Sequence, residues 1–116
     1  MKEIIIHNFT VKRGSFTLYP LSLTIEKGEI FAILGRTGSG KTVLLEAIGG
    51  MFPGTGGSVL YDGIDVMEIP PFNRRLGFVY QDHGLFPHMK VYDNIVYGLK
   101  MHGFTRAEQE ERAYAL

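Results

Sequence analysis

The sequence predicts one α/β domain in which antiparallel strands precede a strand–loop–helix unit, and three observations predict this fold. Short segments that alternate apolar and polar residues fill the first 25 positions, as half-exposed antiparallel strands do. An apolar run, residues 30–34, is followed by a glycine-rich loop and by the apolar helical segment 43–48. The pair Asp62-Gly63 lies between two strand-like segments and predicts a two-residue hairpin.

Three strands are predicted before the loop. Residues 4–11 are rich in β-branched side chains and predict the first strand. Residues 16–19 and 21–25 alternate apolar and polar side chains, as a half-exposed antiparallel strand would. A turn at residues 26–29 then leads into residues 30–34, whose side chains are all apolar. This last segment is predicted to be a strand buried on both faces.

The glycine-rich loop matches the pattern G-x-x-x-x-G-K-[ST] at every fixed position. Glycine adopts positive φ without steric cost, so successive backbone N–H groups can form a concave nest for phosphate oxygens. Lys41 would supply a charge for the β- and γ-phosphates, and the hydroxyl of Thr42 can ligate Mg²⁺. A helix that begins at the loop would add the positive end of its dipole. The predicted nucleotide-binding residues of the loop are Gly35, Arg36, Thr37, Gly38, Ser39, Gly40, Lys41 and Thr42.

Downstream of the loop, the helical segment is expected to stop at two glycines, residues 49–50. A loop at residues 53–57 precedes the hairpin, whose strands are predicted at 58–61 and 64–66. A proline-initiated turn then leads to residues 77–80, which predict a short buried strand.

Two helices are predicted near the C-terminus. The first covers residues 93–101, with Asp93 as its N-cap and Gly103 closing it. Thr105 and Glu108 have the spacing of a capping box, so a second helix is expected to start at Thr105 and to run to Leu116.

The composition limits the classes of partner. Twelve basic and twelve acidic residues give zero formal charge, so the sequence predicts no binding to nucleic acid or to an anionic membrane surface. There are no cysteines, which excludes disulfides and cysteine zinc sites. No apolar run approaches the about 18 residues that a spanning helix needs, so no direct membrane insertion is expected.

Two further runs carry a resemblance to a known family. Residues 76–89 read Leu-Gly-Phe-Val-Tyr-Gln-Asp-His-Gly-Leu-Phe-Pro-His-Met, and residues 91–99 read Val-Tyr-Asp-Asn-Ile-Val-Tyr-Gly-Leu. Together with the phosphate loop, they resemble the nucleotide-binding subunit of ABC transporters, with Gln81 as the Q-loop glutamine. The hairpin region and the Pro-Pro-x-x-Arg-Arg stretch at 70–75 match as well. The resemblance covers essentially residues 1–116 and is strongest to importers of molybdate, tungstate, sulfate and similar small solutes.

The resemblance implies a P-loop NTPase core with an N-terminal antiparallel β subdomain, truncated before the second half of the sheet. It implies ATP and Mg²⁺ as cofactors, with Thr42 and Gln81 at the metal. It also implies that an aromatic residue stacks on adenine. The usual position is the residue before a glycine, but here Arg13 precedes Gly14. Phe16 is the best substitute, Tyr19 is the second choice, and a core role for Phe16 remains open.

The same resemblance implies the partners. A membrane-spanning permease would contact the loop after Gln81, and the full-length subunit would form a homodimer. The subunit would then be cytoplasmic, held at the inner face of the cell membrane by the permease.

Two other functions stay open at the level of sequence. A different P-loop protein, such as a small kinase, would need arginines near the γ-phosphate, and Arg74 and Arg75 are the available pair. A non-catalytic nucleotide-binding or interaction module would need no hydrolytic groups. The sequence contains no Leu-Ser-Gly-Gly-Gln signature and no apolar run that ends in Asp-Glu. The chain is therefore expected to hold ATP without the groups that orient an attacking water.

Overall fold

The computed structural model describes residues 2–116 and consists of two compact units, Met1–Phe78 and Val79–Leu116. The first unit is built on two long antiparallel strands, β1 (Glu3–Arg13) and β2 (Phe16–Glu26). Their pairing runs from Glu3 opposite Glu26 to Arg13 opposite Phe16, with irregularities between Ile6 and Val11. The two segments predicted at 16–19 and 21–25 are therefore one continuous strand.

The predicted hairpin is confirmed. Strands β3 (Gly56–Tyr61) and β4 (Ile64–Asp65) pair antiparallel and extend the sheet in the order β2-β1-β3-β4. The turn residues Asp62 and Gly63 have φ of 51° and 81°. Positive φ at both central residues is the requirement of a type I′ turn, which matches the twist of the flanking strands.

One face of this sheet is covered by helix α1 (Lys41–Ile48), as the apolar pattern of 43–48 predicts. The helix ends at Gly49, and Gly50 has φ of 84°, so the two glycines stop it as expected. Side chains from β1, β3 and α1 form one core because each element presents an apolar face to the others. The buried residues are Ile6, Phe9, Val11, Leu44, Ala47, Ile48, Val59, Tyr61 and Val66.

Two predicted buried strands are wrong. Residues 30–34 and 77–80 form no strand, and Ile30, Leu34 and Val79 are exposed by 97%, 91% and 90%. A strand is defined by hydrogen bonds to a neighbour, and in residues 2–116 the sheet consists of β1 to β4 alone. Apolar composition reports a tendency to be buried, but it does not supply the pairing partner.

The second unit contains α2 (Val91–Met101) and α3 (Arg106–Tyr114), preceded in the first unit by a single 3-10 turn at Pro71–Asn73. Helix α2 starts two residues before the predicted position, with Lys90 and not Asp93 at its N-cap. Asp93 lies in the first helical turn, where the positive end of the helix dipole stabilises a carboxylate.

The start of α3 follows its sequence signal, whereas its end does not. The predicted capping box is present: Glu108 N–H donates to Thr105 Oγ1 at 3.3 Å, and Thr105 N–H donates to Glu108 Oε2 at 2.7 Å. Helix α3 ends at Tyr114, two residues before the predicted end. In residues 2–116 no helix has both the length and the apolar character that a membrane crossing requires.

The hairpin turn gives the first unit a dependence on pH. Asp62 Oδ1 accepts hydrogen bonds from Glu3 N–H at 2.8 Å and from Lys2 N–H at 2.6 Å, and these bonds lower the pKa of Asp62. A lowered folded-state pKa contributes stability above the unfolded pKa of about 3.9 and loses it as pH falls through the folded value. We expect Asp62→Asn, which tolerates the left-handed turn, to make the melting temperature depend less on pH below about 4. Melting curves between acidic and neutral pH measure this, and parallel profiles for both proteins would contradict it.

Candidate nucleotide-binding site

The glycine-rich loop leads directly into helix α1. Gly40 is the N-cap of this helix, with φ of 93° and no side-chain hydrogen bond to the first turn. The first turn also contains no acidic residue. The N-terminal N–H groups of a helix lack intrahelical acceptors and carry partial positive charge. Without a capping side chain or a carboxylate, this end of α1 is suited to an anion.

The glycines of the loop are required by its backbone. Gly38 and Gly40 have φ of 81° and 93°, which L-residues rarely adopt. At Gly35 glycine is favoured by packing, because a Cβ there would lie only 2.6 Å from Ser39 Oγ. The turn is closed by Ser39 N–H, which donates to Arg36 O at 3.0 Å. Together these features explain why glycines occupy these three positions of the loop.

The ammonium group of Lys41 bridges the loop. Its Nζ donates to the carbonyl oxygen of Gly35 and, at 3.0 Å, to that of Arg36. Thr42, the next residue on α1, has an exposed side chain. The predicted charge and the predicted metal-ligating hydroxyl therefore both lie in the first turn of the helix that the loop introduces. Arg36 and Thr37 are exposed on the loop itself.

An aromatic ring packs against this loop. A Cβ added to Gly40 would collide with Cζ and Cε2 of Phe16, so the ring lies directly against the glycine at the helix N-cap. Tyr19 is three residues further along β2, hence on the opposite face, and its side chain is 79% exposed. Arg13 stacks on another ring, with its guanidinium carbon 4.2 Å from the centroid of Phe52. Of the two aromatic candidates, Phe16 is the one that the structure brings to the loop.

Arg74 is a buried residue of the first unit, and its exposed fraction is 6%. Its guanidinium donates to Ile48 O at 2.9 Å, Ile69 O at 2.7 Å and Met67 O at 3.3 Å. Ile48 O also accepts from the hydroxyl of Tyr61 at 2.6 Å. Burial raises the pKa of Tyr61, and the neighbouring Arg74 partly opposes that rise.

Sequence reasoning missed this role of Arg74. Its acceptors are three backbone carbonyls, one of them 26 residues away at the end of α1. Main-chain acceptors leave no signal in side-chain type or spacing. No local pattern in the sequence could have identified the contact.

The Q-loop candidate belongs to the second unit. Gln81 has an exposed side chain and begins a turn at residues 81–84, which is closed by His83 N–H donating to Tyr80 O at 3.2 Å. His83 and Gly84 have φ of 68° and 60°. The segment is thus a tight surface turn, and the role of Gln81 at Mg²⁺ stays a prediction.

Asn94, in α2, organises the segment that follows this turn. Its side-chain Oδ1 accepts from Phe86 N–H at 2.8 Å. Its Nδ2 donates to the carbonyls of Phe86, Met89 and Lys90 at 3.2, 3.3 and 3.0 Å. The ring of Phe86 also packs on Tyr97 with centroids 4.6 Å apart. One side-chain amide therefore fixes the loop between the turn and α2. The sequence of residues 91–99 alone does not reveal these contacts.

Comparisons with known proteins extend the resemblance. A family model described as ABC transporter matches residues 18–116. The molybdate/tungstate import ATP-binding protein WtpC of Pyrococcus abyssi is 45% identical over 97 residues, which are 84% of this chain and 28% of that protein. The Fe(3+) ions import ATP-binding protein FbpC of Brucella abortus strain 2308 is 41% identical over 112 residues, 96% of this chain and 32% of that protein. The chain thus spans less than a third of the length of these relatives.

A solved structure agrees with these relatives. The ATP-binding cassette MJ0796, a dimer in a post-hydrolysis state bound to ADP and phosphate, matches with a TM-score of 0.80 and 28% sequence identity. The match covers 97% of this chain and 54% of that chain. The fold of this chain therefore matches about half of that ATP-binding cassette.

Proposed function

The chain belongs to the ABC transporter family, and on that premise we propose that residues 35–42 bind the phosphates of MgATP. The observation that carries the proposal is the N-terminus of α1. It is capped by a glycine at positive φ, lacks any carboxylate, and is followed at once by Lys41, whose ammonium bridges the loop. A negative ligand would meet backbone N–H groups, the helix dipole and one full charge in the same place.

The residues present also fit a magnesium ion. Mg²⁺ prefers oxygen ligands and usually takes one or two of them from the protein, with the rest from phosphates and water. Thr42 offers an exposed hydroxyl in the first turn of α1. We assign it as the side chain of the first unit that would hold the metal, which would neutralise phosphate charge when bound.

Phe16 is proposed to contact the adenine. Its ring lies against Gly40, within the first unit and beside the loop that would hold the phosphates. An aromatic face is a tolerant platform for a nucleobase because stacking needs no specific hydrogen bonds. Tyr19, on the opposite face of β2, lacks this position.

We propose that the whole protein is the ATP-binding subunit of an import system. Both named relatives are import ATP-binding proteins, and the permease would contact the segment after Gln81. That segment and α2 expose Leu85, Val91 and Ile95, and Asn94 holds their connection in one conformation. The full subunit would form a dimer, and the structure of the solved neighbour is dimeric. The subunit would lie on the inner face of the membrane.

The function that we assign to residues 1–116 is the binding of MgATP. The relatives named for molybdate/tungstate and for Fe(3+) are 45% and 41% identical, so residues shared with both do not select a solute. The kinase alternative loses its main support, because Arg74 is buried and donates to three main-chain carbonyls of its own unit.

The metal part of the proposal has its own test. We expect Thr42→Val, which keeps the shape of the side chain, to weaken ATP binding roughly tenfold with Mg²⁺ present, the value of about one charge-assisted contact. Without Mg²⁺ the two proteins should bind ATP about equally. Fluorescent ATP titrations with magnesium and with EDTA measure both, and Thr24→Val, at an exposed threonine of β2 outside the loop, is the control. A loss of affinity that is the same with and without magnesium would remove Thr42 from the metal site.

A further inference from the structure

A buried cation holds the end of α1 that is remote from the phosphate loop. Arg74 is the buried charged residue of the described chain, and residues 2–116 offer it no carboxylate within ion-pair distance. Its charge is instead satisfied by three main-chain carbonyls, including that of Ile48 at the last position of α1. The C-terminal end of a helix carries partial negative charge, so a cation there is favourable.

A second donor is directed at the same atom. Ile48 O accepts from Tyr61 Oη at 2.6 Å and from Arg74 Nη1 at 2.9 Å. Tyr61 lies on β3, whereas the other two acceptors of Arg74, Met67 and Ile69, lie in the turn that follows β4. The guanidinium and the phenol together tie the end of α1 to the sheet and to that turn.

The space around this contact is also restricted. A Cβ on Gly50, which has φ of 84°, would lie 2.5 Å from Arg74 Nε. The chain thus leaves α1 through a position where both the backbone conformation and the approach of Arg74 need glycine. Gly50 therefore both ends α1 and leaves room for the guanidinium of Arg74.

We propose that Arg74, with Tyr61, is a positioning residue for nucleotide binding: it fixes α1 along its axis, so that the amides and Lys41 at the other end meet the phosphates. The helix has eight residues and is about 12 Å long, so a shift at Ile48 moves Lys41 by the same amount. Displacements of about 1 Å are costly at a site that depends on geometry. This inference rests on the proposed function, since it concerns the same phosphate site.

The test compares Arg74→Met with Arg75→Met. The second arginine is the adjacent, exposed residue, so its loss keeps the anchor intact while removing the same charge. We expect the Kd for MgATP to rise roughly tenfold in Arg74→Met and to change less than about twofold in Arg75→Met. All titrations are made at a temperature at which circular dichroism shows each protein fully folded.

Two further proteins separate positioning from general loss of stability. Tyr61→Phe removes one donor to Ile48 O and is the gentler variant if Arg74→Met does not fold; a rise in Kd of about threefold is expected. Leu23→Ala loses packing on β2 but keeps both donors, and its Kd should stay near that of the wild type despite a lower melting temperature. Equal affinity in wild type and folded Arg74→Met, or an equal loss in Leu23→Ala and Tyr61→Phe, would overturn the inference.

Hydrogen exchange on the nucleotide-free proteins distinguishes failure of this inference from failure of the proposed function. The anchor predicts faster exchange at the amides of residues 41–48 in Arg74→Met and Tyr61→Phe than in Leu23→Ala. That result is required even if the wild-type protein binds no nucleotide, which would refute the proposed function alone. Unchanged exchange in α1 would refute the anchor while leaving the nucleotide site standing.

Discussion

Replacing Lys41 by alanine is expected to weaken MgATP binding by about a hundredfold, because one ammonium that meets two phosphate oxygens contributes two charge-assisted hydrogen bonds of about 1.5 kcal/mol or more each. In the structure, Nζ is already directed across the loop, donating to the carbonyls of Gly35 and Arg36. A phosphate would replace these neutral acceptors with charged ones. Titration with a fluorescent ATP analogue gives the two dissociation constants.

The control for this prediction is Lys27→Ala. Lys27 is an exposed lysine in the turn between β2 and residues 30–34, and its loss changes the net charge by the same unit. Its Kd should stay within about twofold of the wild type at moderate salt. If both variants lose affinity alike, attraction by net charge and not contact at the loop would explain binding, and the assignment of Lys41 would be wrong.

The second large effect is expected at Gly40. Alanine there meets two penalties: a left-handed backbone, which costs an L-residue about 1–2 kcal/mol, and a collision of the new Cβ with the ring of Phe16. We expect Gly40→Ala to lower the melting temperature and to reduce MgATP affinity at least roughly tenfold, because the displaced residue is the N-cap of α1. Thermal denaturation and ATP titration measure the two effects.

Gly38→Ala is the matched control, because Gly38 has φ of 81° but a Cβ there would meet nothing within 4 Å. It carries the backbone penalty without the collision, so its stability should lie between the wild type and Gly40→Ala. Adding Phe16→Ala to Gly40→Ala removes the collision and should recover part of the lost melting temperature. Identical melting temperatures for Gly38→Ala and Gly40→Ala would show that Phe16 does not pack on the loop.

The parts of the fold that could be predicted from the sequence are those set by local chemistry. The hairpin at Asp62-Gly63 needs positive φ at two adjacent residues, and the capping box at Thr105 needs two side chains three residues apart. Likewise, the phosphate loop is a run of consecutive residues whose backbone conformation follows from its glycines. Each signal and its structural consequence lie within a few positions of one another.

The errors come from features whose partners are distant in sequence. The strand predicted at 30–34 required a neighbouring strand, which composition cannot report, and the segment is exposed in residues 2–116. Arg74 was considered for a phosphate because its main-chain acceptors are invisible in the sequence. The remaining error is local: Asp93 was expected to cap α2, but the helix begins at Val91 and Asp93 lies in its first turn.

The central claim is that the backbone of the glycine-rich loop and the first turn of α1 bind phosphate, and an amide-resolved NMR titration of the isotopically labelled 116-residue chain tests it most directly. On addition of MgATP, the amide signals of residues 35–42 should shift in a saturable way, with Gly38, Gly40 and Lys41 among the largest changes. The same titration of Lys41→Ala should show these shifts only at much higher nucleotide concentration. Saturable shifts confined to other residues, or no shift in the loop at millimolar MgATP, would contradict the account.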